Sequence, residues 1–280
     1  MRLFLLTVLT LTAFGANSLL NRLAVDRFGM DPGVFAALRV AFGAAMLVGL
    51  LHLRGVAWPR GRPAWRLAGA GALALYMIGF SQAFETLDAG VGTLILFGIV
   101  QVMMTAAAMN GGEAVFFRRL AGAGLALVGL AVLVWPAGAV ALPAFGVVMI
   151  VASGIGWGVY SLMGRHEAVP LAATAANFVL CLPMVLPFAA VAGAPGLSGA
   201  GIATALAGGA ITSGLAYALW YAILPRLGAS RAGVAQLSVP VIAALGGWLF
   251  LGEAADMRFA IAAALVIGGI GWSLMPARKG

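Results

Sequence analysis

The chain has 280 residues, of which 63% are hydrophobic and 9% charged, with a formal net charge of +8. So little charge cannot cover a soluble domain of this length, and the mean hydropathy of +1.09 points to a polytopic membrane protein. In such a chain the basic excess follows from Lys and Arg held on the inner face, not from binding nucleic acid.

The first apolar stretch, at about 3–23, opens as MRLFLLTVLTLTAFGA and imitates a secretory leader. It continues to Leu20, long enough to cross roughly 30 Å at about 1.5 Å per residue, and is read as a retained span. The second, about 33–53, carries Arg39 inside it. The third and fourth follow at about 66–84 and 89–111, and the fourth closes on AAAMNGGE with Glu113. A fifth at about 119–136 completes the first half. The sixth, about 144–164, presents Gly154 and Gly158 as a GxxxG packing face. The seventh, about 171–192, holds Pro183, Pro187 and the single cysteine, Cys181, so an intrachain disulfide is excluded. The eighth is placed at about 201–222 and the ninth at about 232–250. The ninth contains VPVIAALGGWLFLGE, with Pro240 near its start and Glu253 at its end. The tenth spans about 259–275. Lipid admits only helices and closed barrels, and apolar runs of this length without alternation are helices. The expected fold is an all-α integral membrane protein of ten transmembrane helices.

Orientation follows from the basic residues. With the N-terminus inside, the inner face gathers Arg2, Arg54, Arg60, Arg62, Arg66, Arg118, Arg119, Arg165, Arg226, Arg231, Arg278 and Lys279, twelve of sixteen. Asp26, Asp31, Glu85, Asp88, Glu253 and Asp256 fall outside. Ten spans then return the C-terminus to the cytoplasm, in a bacterial-type inner membrane.

The chain also repeats. FGANSLLNRLAV (14–25) parallels WGVYSLMGRHEAV (157–169), pairing Gly15 with Gly158, Ser18 with Ser161 and Arg22 with Arg165 at one offset of 143. Arg39 and Met46 face Asn177 and Met184 at an offset of 138, and Glu113 faces Glu253 at 140. The halves are 1–137 and 138–280, each with five helices. Because five is odd, the second half starts on the opposite face, giving an inverted repeat around a central cavity. That arrangement is characteristic of secondary transporters. It also separates Glu113 and Glu253 to opposite faces, so the two Gly-Glu ends read as helix-end markers, not as a shared proton relay.

These motifs resemble a family. PGVFAALRVAFGAAMLVGL (32–50) is similar to the second helix of an EamA-type repeat, VPVIAALGGWLFLGE to its fourth, and the aromatic-Gly pairs at 14–15 and 157–158 to its first. The resemblance covers the whole chain as two EamA repeats of the drug/metabolite transporter superfamily. Departures are Val100 opposite Pro240 and Phe14 where a Trp is usual. The resemblance implies a ten-helix exporter whose cavity is lined by helices 1, 3, 4, 6, 8 and 9, with aromatic-lined amino-acid exporters as the nearest branch.

Candidate substrate-binding residues are the polar and aromatic side chains well inside those helices, where a buried polar group needs a partner or a wet cavity. They are Asn17 on the first, Tyr76, Phe80 and Gln82 on the third, and Thr93, Phe97 and Gln101 at i, i+4, i+8 on the fourth. In the second half they are Trp157 and Tyr160 on the sixth, Ser213, Tyr217 and Trp220 on the eighth, and Gln236 on the ninth. An amino acid needs donors for its carboxylate, acceptors for its ammonium and apolar walls, and amides with aromatic faces supply these. The competing role for each is helix–helix bonding or an interfacial belt. Arg39 lies on a helix outside the implied cavity and reads as a snorkelling or capping cation, with a carboxylate anchor as the alternative. Pro240 frees a helix carbonyl and is the candidate hinge.

No phosphate-cradling loop occurs, so ATP-driven pumping is excluded. His52 and His166 sit at run edges beside Arg, so no metal centre is expected. Neither a mid-span Ser-His pair nor facing Asp residues support an intramembrane enzyme. The function expected is non-ATP export of small metabolites, amino acids foremost, by alternating access. The alternative is a same-fold carrier for a drug, nucleobase or other metabolite. No cofactor is expected, and the partners are the small-molecule substrate and the lipid bilayer.

Overall fold

The computed structural model of the protein describes residues 1–83, 86–87, 89–112, 117–134, 143–191, 196–251 and 257–274. Ten helices account for nearly all of them, and no strand occurs among the described residues. They are α1 Arg2–Arg22, α2 Pro32–Leu53, α3 Pro63–Ala83, α4 Ala89–Asn110, α5 Phe117–Val134, α6 Ala144–Gly164, α7 Pro170–Ala190, α8 Gly199–Leu227, α9 and α10 Met257–Leu274. α9 comes in two pieces, Ala229–Gln236 and Val239–Leu251. Among the described residues seven helices are long and apolar enough to cross a bilayer by length and composition, and α10 carries a shorter apolar stretch, Met257–Ser273.

Helix starts are written in short local signals. Asp31 caps α2 by accepting from the amides of Gly33 (2.8 Å) and Val34 (3.1 Å), and Pro32 supplies a first residue with no amide to satisfy. Ser198 caps α8 through the Gly201 amide at 3.0 Å. α1 is prolonged by a π turn at Leu23–Arg27.

Two departures from the expected spans lie in α8 and α9. α8 continues five residues beyond the expected end at 222, through Pro225, and stops where Gly228 takes φ 77°. It also contains a π-helical stretch, Ala207–Leu215, which widens the helix beside α1 and α2. α9 starts at Ala229 and breaks at Leu237–Ser238, and Pro240 is the second residue of the piece that follows. Proline has no N–H to offer the Gln236 carbonyl, and the break is bridged by shorter-range bonds, Leu237 N–H to Val234 O and Ser238 N–H to Ala235 O. α7, by contrast, runs through both Pro183 and Pro187.

The helices pack across the two halves. α5 lies on α10, α2 on α7, α3 on α6 and α7, and α1 on α8 and α9, while α4 meets α6 and α9. Gly156 is what brings α6 onto α3: a methyl group there would fall 2.6 Å from the backbone nitrogen of Tyr76. The expected GxxxG face packs on α4, with Gly154 against Ile99 and Gly158 against Met103. At one end of the bundle Arg66, on α3, forks onto Glu167, in the α6–α7 turn, with both bonds at 2.7 Å; Trp65 Nε1 adds a third at 2.8 Å. These two ends therefore share one face. Outward, Phe4, Val102, Phe117, Leu249 and Phe250 are exposed, an apolar outer surface suited to lipid.

The Gly-Glu ends at Glu113 and Glu253, with Glu85, Asp88, Asp256, Arg278 and Lys279, lie outside the described residues, as does the boundary at 137/138.

Candidate functional site

A cavity opens where α1, α3, α4, α6, α8 and α9 converge. α1 gives Phe14, Asn17 and Ser18; α3 gives Tyr76 and Phe80; α4 gives Thr93, Leu96 and Phe97. Trp157 enters from α6, Tyr217 from α8 and Val239 from α9. Each of these side chains is uncharged. The cavity volume is about 30 Å³, room for one or two waters and far less than an amino acid needs.

Seven of the thirteen candidates thus line one space: Asn17, Tyr76, Phe80, Thr93, Phe97, Trp157 and Tyr217. Four more stand directly behind the wall. Tyr160 stacks on Trp157, with centroids 5.7 Å apart and planes at 26°. Gln236 accepts from Trp157 Nε1 at 2.6 Å, fixing the indole's orientation. Trp220 packs edge-on against Phe14 and donates to Ser161 Oγ at 3.1 Å. Ser213 bonds Asn17 and Arg39.

The other two lie elsewhere. Gln101 is buried on α4 but turns to Thr105, which accepts from its Nε2 at 3.1 Å, and lies beside Gly233 of α9. Its Oε1 has no partner among the described residues. One further helical turn at 100° per residue carries the Thr93–Phe97 stripe away from the cavity, because i, i+4, i+8 drifts around the helix. Gln82 is half-buried near the end of α3 and is not part of the lining.

The wall is an aromatic assembly. Trp157 touches Phe14 (5.3 Å), Tyr76 (5.0 Å) and Tyr217 (4.8 Å), and Phe14 also meets Tyr217 edge-on at 5.5 Å. Such pairs contribute about 0.5–1.5 kcal/mol each beyond burial. Phe14, Ser18, Leu96 and Val239 were not among the candidates. The signal for Phe14 was present, since it precedes Asn17 and Ser18 by one helical turn and shares their face.

Arg39 does not snorkel. It is 1% exposed, and its guanidinium points inward from α2 to α8, donating from Nε to Ser213 Oγ (2.7 Å) and from Nη2 to Tyr217 OH (2.6 Å). Its charge also lies 5.8 Å from the centroid of the Tyr76 ring. The sequence reading set a snorkelling or capping role for Arg39 above a carboxylate anchor because of the helix it sits on. What it missed is that the π-widened part of α8 carries Ser213 to the guanidinium.

Comparison with known proteins now places this architecture. The EamA-like transporter family matches residues 144–275. The chain is also 46% identical to "Uncharacterized protein PA1977" of Pseudomonas aeruginosa over 276 residues, covering 98% of this chain and 95% of that one. The chain belongs to the EamA-like transporter family. A solved structure described as "Crystal structure of protein" superposes on this EamA-like transporter with a TM-score of 0.81. It covers 100% of this chain and 99% of its own, and at 23% identity it shows the fold alone. The chain is therefore a multi-pass membrane protein of a transporter family. Among the described residues no group of His, Cys, Asp and Glu is arranged to hold a metal.

Proposed function

We propose that this EamA-like transporter exports small metabolites, amino acids foremost, from a bacterial-type inner membrane by alternating access, with both termini cytoplasmic. The observation that carries the reading is the cavity itself, drawn from three helices of each half and walled by aromatic and amide side chains. Residues 1–137 and 138–280 act as two inverted five-helix units. The pairing supports this, because each packing of one half on the other has its counterpart after exchanging the halves: α3 on α6 answers α8 on α1, and α3 on α7 answers α8 on α2. The cavity is too small for cargo as it stands, so binding requires the aromatic wall to part. Pro240 is the proposed hinge, since the helix break it causes borders Val239 on that wall. With every lining residue uncharged, export runs down the cargo's own gradient.

Counterflow in proteoliposomes against a panel of labelled amino acids tests the reading, with Trp157→Ala alongside. Exchange of at least one amino acid, reduced tenfold or more in the variant, is expected. Exchange of none removes the assignment. Saturable uptake driven by a pH gradient alone would remove the uncoupled mechanism.

A further inference from the structure

We propose that Arg39, without touching the cavity, makes its wall a subsite for a carboxylate, through two hydrogen-bond relays that each end in a donor. This rests on the cavity being the transport site, and names the group by which cargo is recognised there.

The direction of each relay is set by its first member. Arginine has donors only, so Ser213 Oγ and Tyr217 OH must both accept from it. Each hydroxyl then has its own proton to pass on. Ser213 passes it to Asn17 Oδ1 at 3.4 Å, and Thr212 Oγ1 lies 3.1 Å from the same oxygen and 3.2 Å from Gly208 O, so its one proton serves one of the two. The Ser213 hydroxyl therefore occupies the acceptor end of the Asn17 carboxamide, leaving its NH₂ as the end still to be used. Tyr217 passes its proton to Tyr76 OH at 3.2 Å, which leaves the Tyr76 proton to be donated onward. Both terminal residues line the cavity. The Arg39 charge beside the Tyr76 ring strengthens that donor further.

Charge points the same way. Arg39 is buried, and the hydrogen-bond partners just described are neutral. A buried cation held by neutral groups is costly, and an anion arriving in the adjacent space offsets that cost. Planar carboxylate oxygens match two donors contributed from separate helices, α1 and α3. The ammonium of an amino acid would then rest against the aromatic faces of Trp157 and Phe97. Arg39 is accordingly a positioning residue, and Asn17 and Tyr76 are the groups that meet the cargo.

Matched probes on one frame separate the charges: phenylalanine, 3-phenylpropionate (carboxylate only) and phenethylamine (ammonium only). A leucine-based set, leucine, 4-methylpentanoate and isoamylamine, repeats the comparison. Each is scored by half-saturating concentration in proteoliposome exchange. In the wild type both carboxylate-bearing probes are expected to bind at least tenfold better than the amine. Tyr76→Phe, which removes one oxygen, is expected to weaken the carboxylate probes about tenfold and leave the amine unchanged. Arg39→Lys keeps the charge but not the fork, and is expected to retain part of the carboxylate preference. An amine that binds as well as its carboxylate partner overturns the subsite while the transport site stands. So does a Tyr76→Phe variant that weakens all probes equally, since a structural role alone would do that. If nothing in either set exchanges, the transport-site reading fails and the subsite falls with it.

Discussion

Trp157 holds the centre of the cavity wall, touching Phe14, Tyr76 and Tyr217 while its indole N–H is bound by Gln236. Gln236→Leu removes that acceptor and leaves a buried N–H unpaired. The cost is about 1–3 kcal/mol, read as a lower Tm together with slower exchange. Gln101 behaves oppositely. It is off the cavity and carries a buried oxygen without a partner among the described residues, so Gln101→Met is expected to transport at the wild-type rate with Tm unchanged or raised. Loss of exchange in that variant would return Gln101 to the site. The two glutamines cannot be separated by residue type or by depth in the chain. Both are mid-span amides on cavity helices, and only the rotation of each helix about its axis distinguishes them.

At the scale of elements, the informative features are a close approach and a break. Gly156 lets α6 lie against the backbone of Tyr76, and Gly156→Val must push α3 and α6 apart. Tyr76 would move with α3, so the variant is expected to lose both thermal stability and exchange; normal stability would show that the helices slide without cost. In α9, Pro240→Ala restores the amide that the Gln236 carbonyl lacks and favours a continuous helix. If the break is the hinge, binding affinity is retained while exchange slows, and an unaltered exchange rate would make the kink a static one. The Arg66–Glu167 fork ties α3 to the α6–α7 turn, with side-chain exposures of 14% and 6%. Glu167→Gln is expected to lower stability by about 1–2 kcal/mol, an effect that high salt reduces only partly because the pair is partly buried.

At the scale of the whole molecule, orientation is the property to test. In a Cys181→Ser background, a cysteine at Trp58, between α2 and α3, should react with an impermeant maleimide only from the cytoplasm. One at Gly29, between α1 and α2, should react only from outside. The reverse labelling would invert the proposed topology. The uncharged cavity buried in an apolar-surfaced bundle sets one further expectation. Exchange should depend weakly on ionic strength, because the binding groups lie far inside the screening range of bulk salt.

The sequence by itself determined the class, the ten helices and their ends to within a few residues. Lipid leaves the chain so few ways to satisfy its backbone that apolar run length is nearly sufficient evidence. Motifs at 32–50 and 239–253 carried the family, because helix–helix contact in a bilayer constrains small residues and proline by position. Most of the cavity was legible too, since a polar or aromatic side chain deep in a cavity helix has few other places to go. Two things were decided only by the tertiary structure: the turn of Gln101 away from the cavity, and the inward turn of Arg39 to Ser213 and Tyr217. The first depends on the rotation of α4 about its axis, the second also on the π-widened turn of α8. Those are set by packing between residues more than a hundred positions apart, which local pattern does not carry.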